Sequence, residues 1–350
     1  MSRYIKITTT IIGYLIILTH KYTQTTSPYK LKYPINFGNR IFVPKDNPTT
    51  KEGAYLGRLL FFEPLLSANN KISCSSCHEQ KRAFTDGKAF SVGVDGTLTS
   101  RNSMALINLL WARKLFWDGR TEGLEAQAAF PLTDLHEMGQ ALAVSSEKLK
   151  HTQSYPALFK TAFGDTAITP DRITKAISQF ERTLISANSQ YDKYLSNKYQ
   201  PTILEMNGIA LFNTNCSHCH GGAKTYMELF HNNGLDDVSK DKGRQAITNM
   251  DSDHGRFKTP TLRNIALTGP YMHDGRFNTL EQVLDHYSNH LQQKHLSPFL
   301  KERTNQKNGT SIQLSQYEKK AVIAFLNMLT DTSFINNPEF SNPNKSTLTN

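Results

Sequence analysis

Cysteine is scarce in this chain, with four thiols among 350 residues. All of them fall in two short stretches, Cys74-Ser75-Ser76-Cys77-His78 and Cys216-Ser217-His218-Cys219-His220, so none is left to build a disulfide framework. Long apolar runs are equally rare. Only Ile7 to Leu18 approaches one, and no run of membrane-spanning length follows it, which excludes a polytopic membrane protein. Despite a formal net charge of +10, no dense Lys/Arg block is interleaved with aromatics. That argues against nucleic acid and leaves a solvated basic surface, or one suited to an acidic protein partner. Few segments alternate apolar with polar residues, so the fold class reads as mainly α with long loops. Histidine is also missing from the whole interval between His78 and His136.

What is present is chemically specific. Two thiols three apart, followed at once by histidine, are the attachment signature of c-type haem. Each thiol adds across a haem vinyl group to form a thioether, and the histidine takes one axial position on the iron. Cys74 and Cys77 with His78, and Cys216 and Cys219 with His220, therefore predict two covalently bound haem c groups. A zinc site of two CxxC pairs is the alternative, but it gives no reason for a histidine after each pair. At the N-terminus, Arg3 and Lys6 precede the apolar run and His20-Lys21-Tyr22 follows it, which is the layout of a secretory signal over residues 1–27. A small-residue cleavage site is hard to find, so an uncleaved anchor stays open. Export agrees with the haem motifs, because covalent haem attachment normally takes place outside the cytoplasm.

The chain is long enough for two domains, and the halves look like divergent copies of one plan. Tyr55 to Phe62 and Met206 to Phe212 each read as a short apolar helix leading into a haem attachment loop. Each half closes on an amphipathic helix. In the first, Thr169-Pro170 supplies the cap, and Ile173, Ala176, Ile177, Phe180 and Leu184 recur at helical spacing. In the second, Ser315 to Glu318 forms a capping box ahead of Val322, Phe325, Leu326 and Leu329. Two cytochrome c-like domains follow, 28–195 and 196–336, joined near Tyr191 to Pro201, with a flexible tail over 337–350.

Three further blocks carry a resemblance. They are Phe116-Trp117-Asp118-Gly119-Arg120, Glu137-Met138-Gly139, and Pro260-Thr261-Leu262-Arg263-Asn264 continuing through Thr268-Gly269-Pro270-Tyr271-Met272-His273-Asp274-Gly275. Their order and spacing, over roughly residues 45 to 335, resemble the bacterial di-haem cytochrome c peroxidases and their MauG-type relatives. The resemblance implies a periplasmic enzyme that reduces hydrogen peroxide at the N-terminal haem, with electrons entering through the C-terminal haem. A small cytochrome c or copper protein would be the donor, and a homodimer is compatible with the family.

The resemblance also assigns roles. Glu137 matches the distal acid/base, which takes a proton from the iron-bound oxygen of peroxide and returns it to the leaving one. Gln127 and Pro131 fall at supporting distal-pocket positions, and neighbouring His136 points elsewhere. Trp117 matches the residue lying between the haems. Many family peroxidases block the first haem with a histidine on the loop near Val92-Gly93-Val94-Asp95. This chain has none there, and Met104 does not suit the role, so the first haem reads as open without reductive activation. At the interval beyond His273 where family peroxidases carry a methionine ligand for the second haem, this chain has Tyr287, as MauG-type enzymes do; His286 and Met272 are rivals. A calcium ion between the domains is implied at Asn102, through its side chain, and at the carbonyls of Thr268 and Pro270.

Three functions follow in order. The first is reduction of hydrogen peroxide to water with electrons from a small periplasmic redox protein. The second is MauG-like oxidation of residues on a partner protein by high-valent haems. The third is a di-haem electron carrier, against which the open iron and Glu137 argue.

Overall fold

Gly57 and Gly208 each stand one helical turn ahead of a phenylalanine, Phe61 and Phe212, and this repeated pair sets the architecture. A computed structural model describes residues 26–305 and 311–344. The helices run α1 (Lys51–Phe61), α2 (Leu124–Thr133), α3 (Leu142–Lys150), α4 (Tyr155–Phe163), α5 (Pro170–Thr183) and α6 (Gln190–Leu195). They continue as α7 (Ile203–Asn215), α8 (Gln245–Thr248), α9 (Leu280–Asn289), α10 (Pro298–Asn305), α11 (Gln316–Met328) and α12 (Thr332–Ile335). Two small antiparallel pairs complete it. β1 (Lys114–Leu115) pairs β2 (Thr121–Glu122), and β3 (Phe230–His231) pairs β4 (Phe257–Lys258) with His231 opposite Phe257.

In the first half α1 crosses α5, and in the second α7 crosses α11. A Cβ on Gly57 would land on the Ala176 carbonyl and press on Phe180; a Cβ on Gly208 would land on the Ala321 carbonyl and press on Phe325. Phe61 then meets Phe180 edge-on at 5.3 Å, and Phe212 meets Phe325 at 4.6 Å. The same four positions make the same close crossing twice, as the sequence periodicity predicts. The caps also form as read. Thr169 Oγ1 accepts from Arg172 N, and Ser315 and Glu318 bond each other's backbone nitrogens. Each half packs its own core, the first around Leu56, Leu60, Phe159 and Ile177, the second around Leu284, Val322, Phe325 and Leu329.

Two boundaries differ from the sequence reading. The stretch read as a linker is packed: Tyr191, Tyr194 and Tyr199 lie against the second core, and Asp192 pairs with fully buried Arg263, Nη2 to Oδ1 2.8 Å. The tail read as loose from 337 is anchored through a 3₁₀ turn, Pro338–Phe340. Phe334 and Phe340 are buried with Phe61, Phe84 and Phe180, so this end of the chain crosses onto the first half. Arg58 Nε donates to the Ser341 carbonyl at 2.7 Å. A polar composition had hidden two phenylalanines that prefer the core. The expected export signal falls mostly on residues 1–25, outside the described part. Among the described residues no helix is long and apolar enough to cross a membrane.

Candidate functional site

Each CxxCH stretch follows from local backbone chemistry. Ser73 and Ser76 form a capping box that tightens Cys74–Ser76 into a 3₁₀ turn, and His78 N then donates to the Cys74 carbonyl at 3.0 Å. In the second stretch Cys216 is the C-cap of α7, and His220 N donates to its carbonyl, also at 3.0 Å. None of the four cysteines is in a disulfide. Burial pushes the Cys74 thiol up, and that of Cys219 to about 11.

The two histidines are held alike. His78 Nδ1–H donates to the Phe84 carbonyl at 2.7 Å, and His220 Nδ1–H to the Pro260 carbonyl at 3.1 Å. That bond fixes the tautomer and leaves Nε2 with its lone pair, the arrangement metal-ligating histidines show. Burial keeps both rings neutral, lowering His220 to about 4. Around His220 a large, mainly apolar cavity opens, with Cys216, Cys219, Trp117, Met272 and Tyr287 on its wall. Paired thiols, a neutral imidazole with Nε2 available and an apolar chamber fit a c-type haem.

Pro131 lies inside the last turn of α2. Having no N–H, it leaves the Gln127 carbonyl without a helical partner. The chain then folds back on the helix end, with Met138 N on the Pro131 carbonyl and Gln140 N on that of Leu132. Glu137 sits in this turn, and its charge is felt at both Cys74 and Cys77. Burial raises its carboxyl above the usual range; Asp134 adds to this and Arg120 opposes it. Gln127 is half-buried on α2. His136 does turn away, exposed and bonded to Asp95 Oδ2 at 2.9 Å. The Val92–Leu98 loop docks backbone to backbone on the same turn, Val94 N donating to the Glu137 carbonyl at 2.7 Å. Gly93 permits this, since a Cβ there would meet the His136 carbonyl.

One segment joins the two sites. Ser103 Oγ donates to the Cys77 carbonyl at 2.8 Å and lies 3.4 Å from His78 Nδ1. Asn102 offers its carbonyl to the Trp117 indole at 2.8 Å and its N–H to the His273 carbonyl at 2.7 Å. Met104 lines the second cavity. Trp117 shares its turn with Arg120, the cation that acts on Glu137. Asn102, Thr268 and Pro270 all border the cavity. Among the described residues no hydrogen bond ends on the Asn102 side-chain oxygen or on the Thr268 and Pro270 carbonyls. Three such oxygens suit a hard cation.

Tyr287, half-buried on α9, also lines the cavity, its phenol pushed up to about 12 by burial while Asn233 pulls the other way. Met272 lines the same space, whereas His286 does not. Three residues here escaped the sequence reading. Lys258 is buried on the cavity wall and lowered to about 8 by that burial. His231 lines the cavity with its Nε2 buried and unpartnered among the described residues. Asn233 follows one alternation further along. The run Phe230-His231-Asn232-Asn233-Gly234 was visible, but nothing in its pattern marks it as a wall of a cavity.

Comparison with known proteins agrees with this geometry. The sequence model of the di-haem cytochrome c peroxidases matches residues 51–200. The methylamine utilization protein MauG of Methylophilus methylotrophus is 35% identical over 332 residues, 91% of this chain and 93% of that protein. Cytochrome c551 peroxidase of Nitrosomonas europaea is 36% identical over 244 residues, 68% of this chain and 73% of its own. Among solved structures, a MauG-like protein associated with microbial copper homeostasis superposes with a TM-score of 0.82 at 35% identity, covering 90% of this chain and 99% of that one.

Proposed function

The chain belongs to the di-haem cytochrome c peroxidase and MauG family, and from that premise we propose that it is an exported enzyme reducing hydrogen peroxide beside Glu137. When bound, the two haems supply the redox chemistry. The chain's own residues supply the rest. Cys74 and Cys77 with His78 hold the first haem, and Cys216 and Cys219 with His220 the second. Glu137, raised by burial, would move a proton between the two peroxide oxygens, with Gln127 on α2 in a supporting role. Trp117 would carry electrons between the halves, Tyr287 would be the second protein ligand offered to the haem held by His220, and Asn102, Thr268 and Pro270 would hold calcium.

The observation that carries this reading is the loop over Glu137. It contains no histidine, and it is pinned by Val94 N on the Glu137 carbonyl. The lack of a histidine there favours the MauG-type branch, in which a partner protein would be the source of electrons. Tyr287 supports the same branch, because a hard oxygen ligand favours the oxidised iron where a thioether raises the potential. A small cytochrome or copper protein as donor is the peroxidase branch, supported by the relative from Nitrosomonas europaea. The periplasm is the compartment that covalent haem attachment supports.

Stopped-flow absorbance of the fully oxidised, haem-loaded protein with one equivalent of hydrogen peroxide tests the reading. Immediate spectral change is the expected result. A protein that stays silent until one haem is reduced would be a gated peroxidase with a concealed distal ligand.

A further inference from the structure

Two side chains that line the second cavity along with His220 carry atoms able to bind a metal, the oxygen of Tyr287 and the sulfur of Met272. Both meet one group. Asn233 Nδ2 lies 3.4 Å from the Tyr287 hydroxyl oxygen and 3.4 Å from Met272 Sδ. An amide nitrogen carries two hydrogens and accepts nothing, so it serves both neighbours as a donor. Toward oxygen, such donation is strengthened when the oxygen becomes anionic. Toward sulfur, it occupies electron density that a metal would otherwise take. The one contact favours the phenol oxygen as a ligand and disfavours the thioether.

Asn233 is itself fixed. His286 Nε2–H donates to its backbone carbonyl at 3.0 Å, and Asn232 Oδ1 accepts from Gly234 N at 2.9 Å. Gly234 has φ +70°, and a Cβ there would strike the Gln292 carbonyl. His286, adjacent in sequence to Tyr287, is thereby committed to holding Asn233 and stays off the cavity wall.

We propose that Asn233 is a positioning residue that selects the axial ligand of the second haem, retaining the Met272 sulfur while presenting the Tyr287 oxygen. The proposal rests on the reading that a haem fills this cavity with Tyr287 opposite His220. Its test compares haem-loaded wild type with Asn233→Leu, Asn233→Leu/Met272→Leu and Tyr287→Phe. The readouts are the near-infrared spectrum and the reduction potential of each haem by spectroelectrochemistry.

Asn233→Leu should gain a thioether-to-iron charge-transfer band, and the second haem's potential should move up. Adding Met272→Leu should abolish that band. If Tyr287→Phe alters the spectrum while Asn233→Leu keeps both the wild-type spectrum and potential, selection by Asn233 is overturned and the ligand reading stands. If Tyr287→Phe changes nothing, the ligand reading fails and takes the proposal with it. Should the leucine variant not load haem, Asn233→Ala, which removes the donor without adding bulk, decides between the same outcomes.

Discussion

Buried carboxyl groups are costly unless they are protonated or put to use, and this chain holds two of different kinds. Glu137 is half-buried, raised, and within electrostatic reach of Cys74 and Cys77. Glu137→Gln should keep both haems and slow the reaction with peroxide by roughly 10²–10⁴-fold, the usual worth of a general acid–base group. Transient kinetics measures it, and an unchanged rate removes Glu137 from the chemistry. Because its carboxyl is raised, its base form is lost at a higher pH than for an ordinary glutamate, so the wild-type rate should fall on acidification while the Gln variant stays flat. Glu181 differs. It is buried on α5 with Oε2 unpartnered among the described residues, and burial pushes it from 4.5 to about 8. A raised folded-state value means the native protein binds the extra proton, so stability is full below 4.5 and declines as pH rises toward about 8. Glu181→Gln should therefore raise the melting temperature at pH 8, by about 1–3 kcal/mol in stability, and leave it nearly unchanged at pH 4.

Elements are placed by small residues at crossings as much as by apolar stripes. The contact of α1 with α5 and of α7 with α11 depends on glycine at the same position of each pair. Gly57→Ala or Gly208→Ala adds a methyl group where a carbonyl already lies. Overpacking of that kind costs about 1–3 kcal/mol, against a small gain in helix propensity. Chemical denaturation should show loss in both variants, and stabilisation in either would mean that the helices can part without cost. Pro131 works the other way, freeing the Gln127 carbonyl inside the last turn of α2. α2 continues past it to Thr133, and the turn that follows folds back onto the Pro131 and Leu132 carbonyls and so places Glu137.

Among the links that tie the halves across the molecule, Arg101 is the best placed. Arg101 donates to Asp118 Oδ2 at 2.6 Å and, through two nitrogens, to Asp241 at 2.7 and 2.9 Å. Asp118 also receives Arg120, so the link runs from the second half toward the cation that acts on Glu137. Arg101→Ala leaves Asp118 buried beside one partner instead of two. Because Asp118 keeps Arg120, the cost is that of lost hydrogen bonds to charged groups, about 1.5–3 kcal/mol. Calorimetry should show a lower melting temperature, and a split into two transitions would follow if Arg101 is what makes the halves unfold together. A melting curve superimposable on wild type would assign the coupling to the Phe334 and Phe340 contacts instead.

The sequence by itself determined the two CxxCH stretches, the helices of each half and their caps, because these depend on neighbours in the chain or on a period of one helical turn. It also carried the family resemblance, and with it Glu137, Trp117 and Tyr287. Only the tertiary structure decided what depends on residues far apart in the chain. His286 and Tyr287 are adjacent, yet one turns to the Asn233 backbone and the other to the cavity, since neighbours on a helix point about 100° apart. The tail after Asn336 looked polar and loose until Phe84 and Arg58 from the other half gave it something to pack on. Asn233 carried no signal at all, because its role depends on a methionine and a tyrosine that only the folded chain brings to one nitrogen.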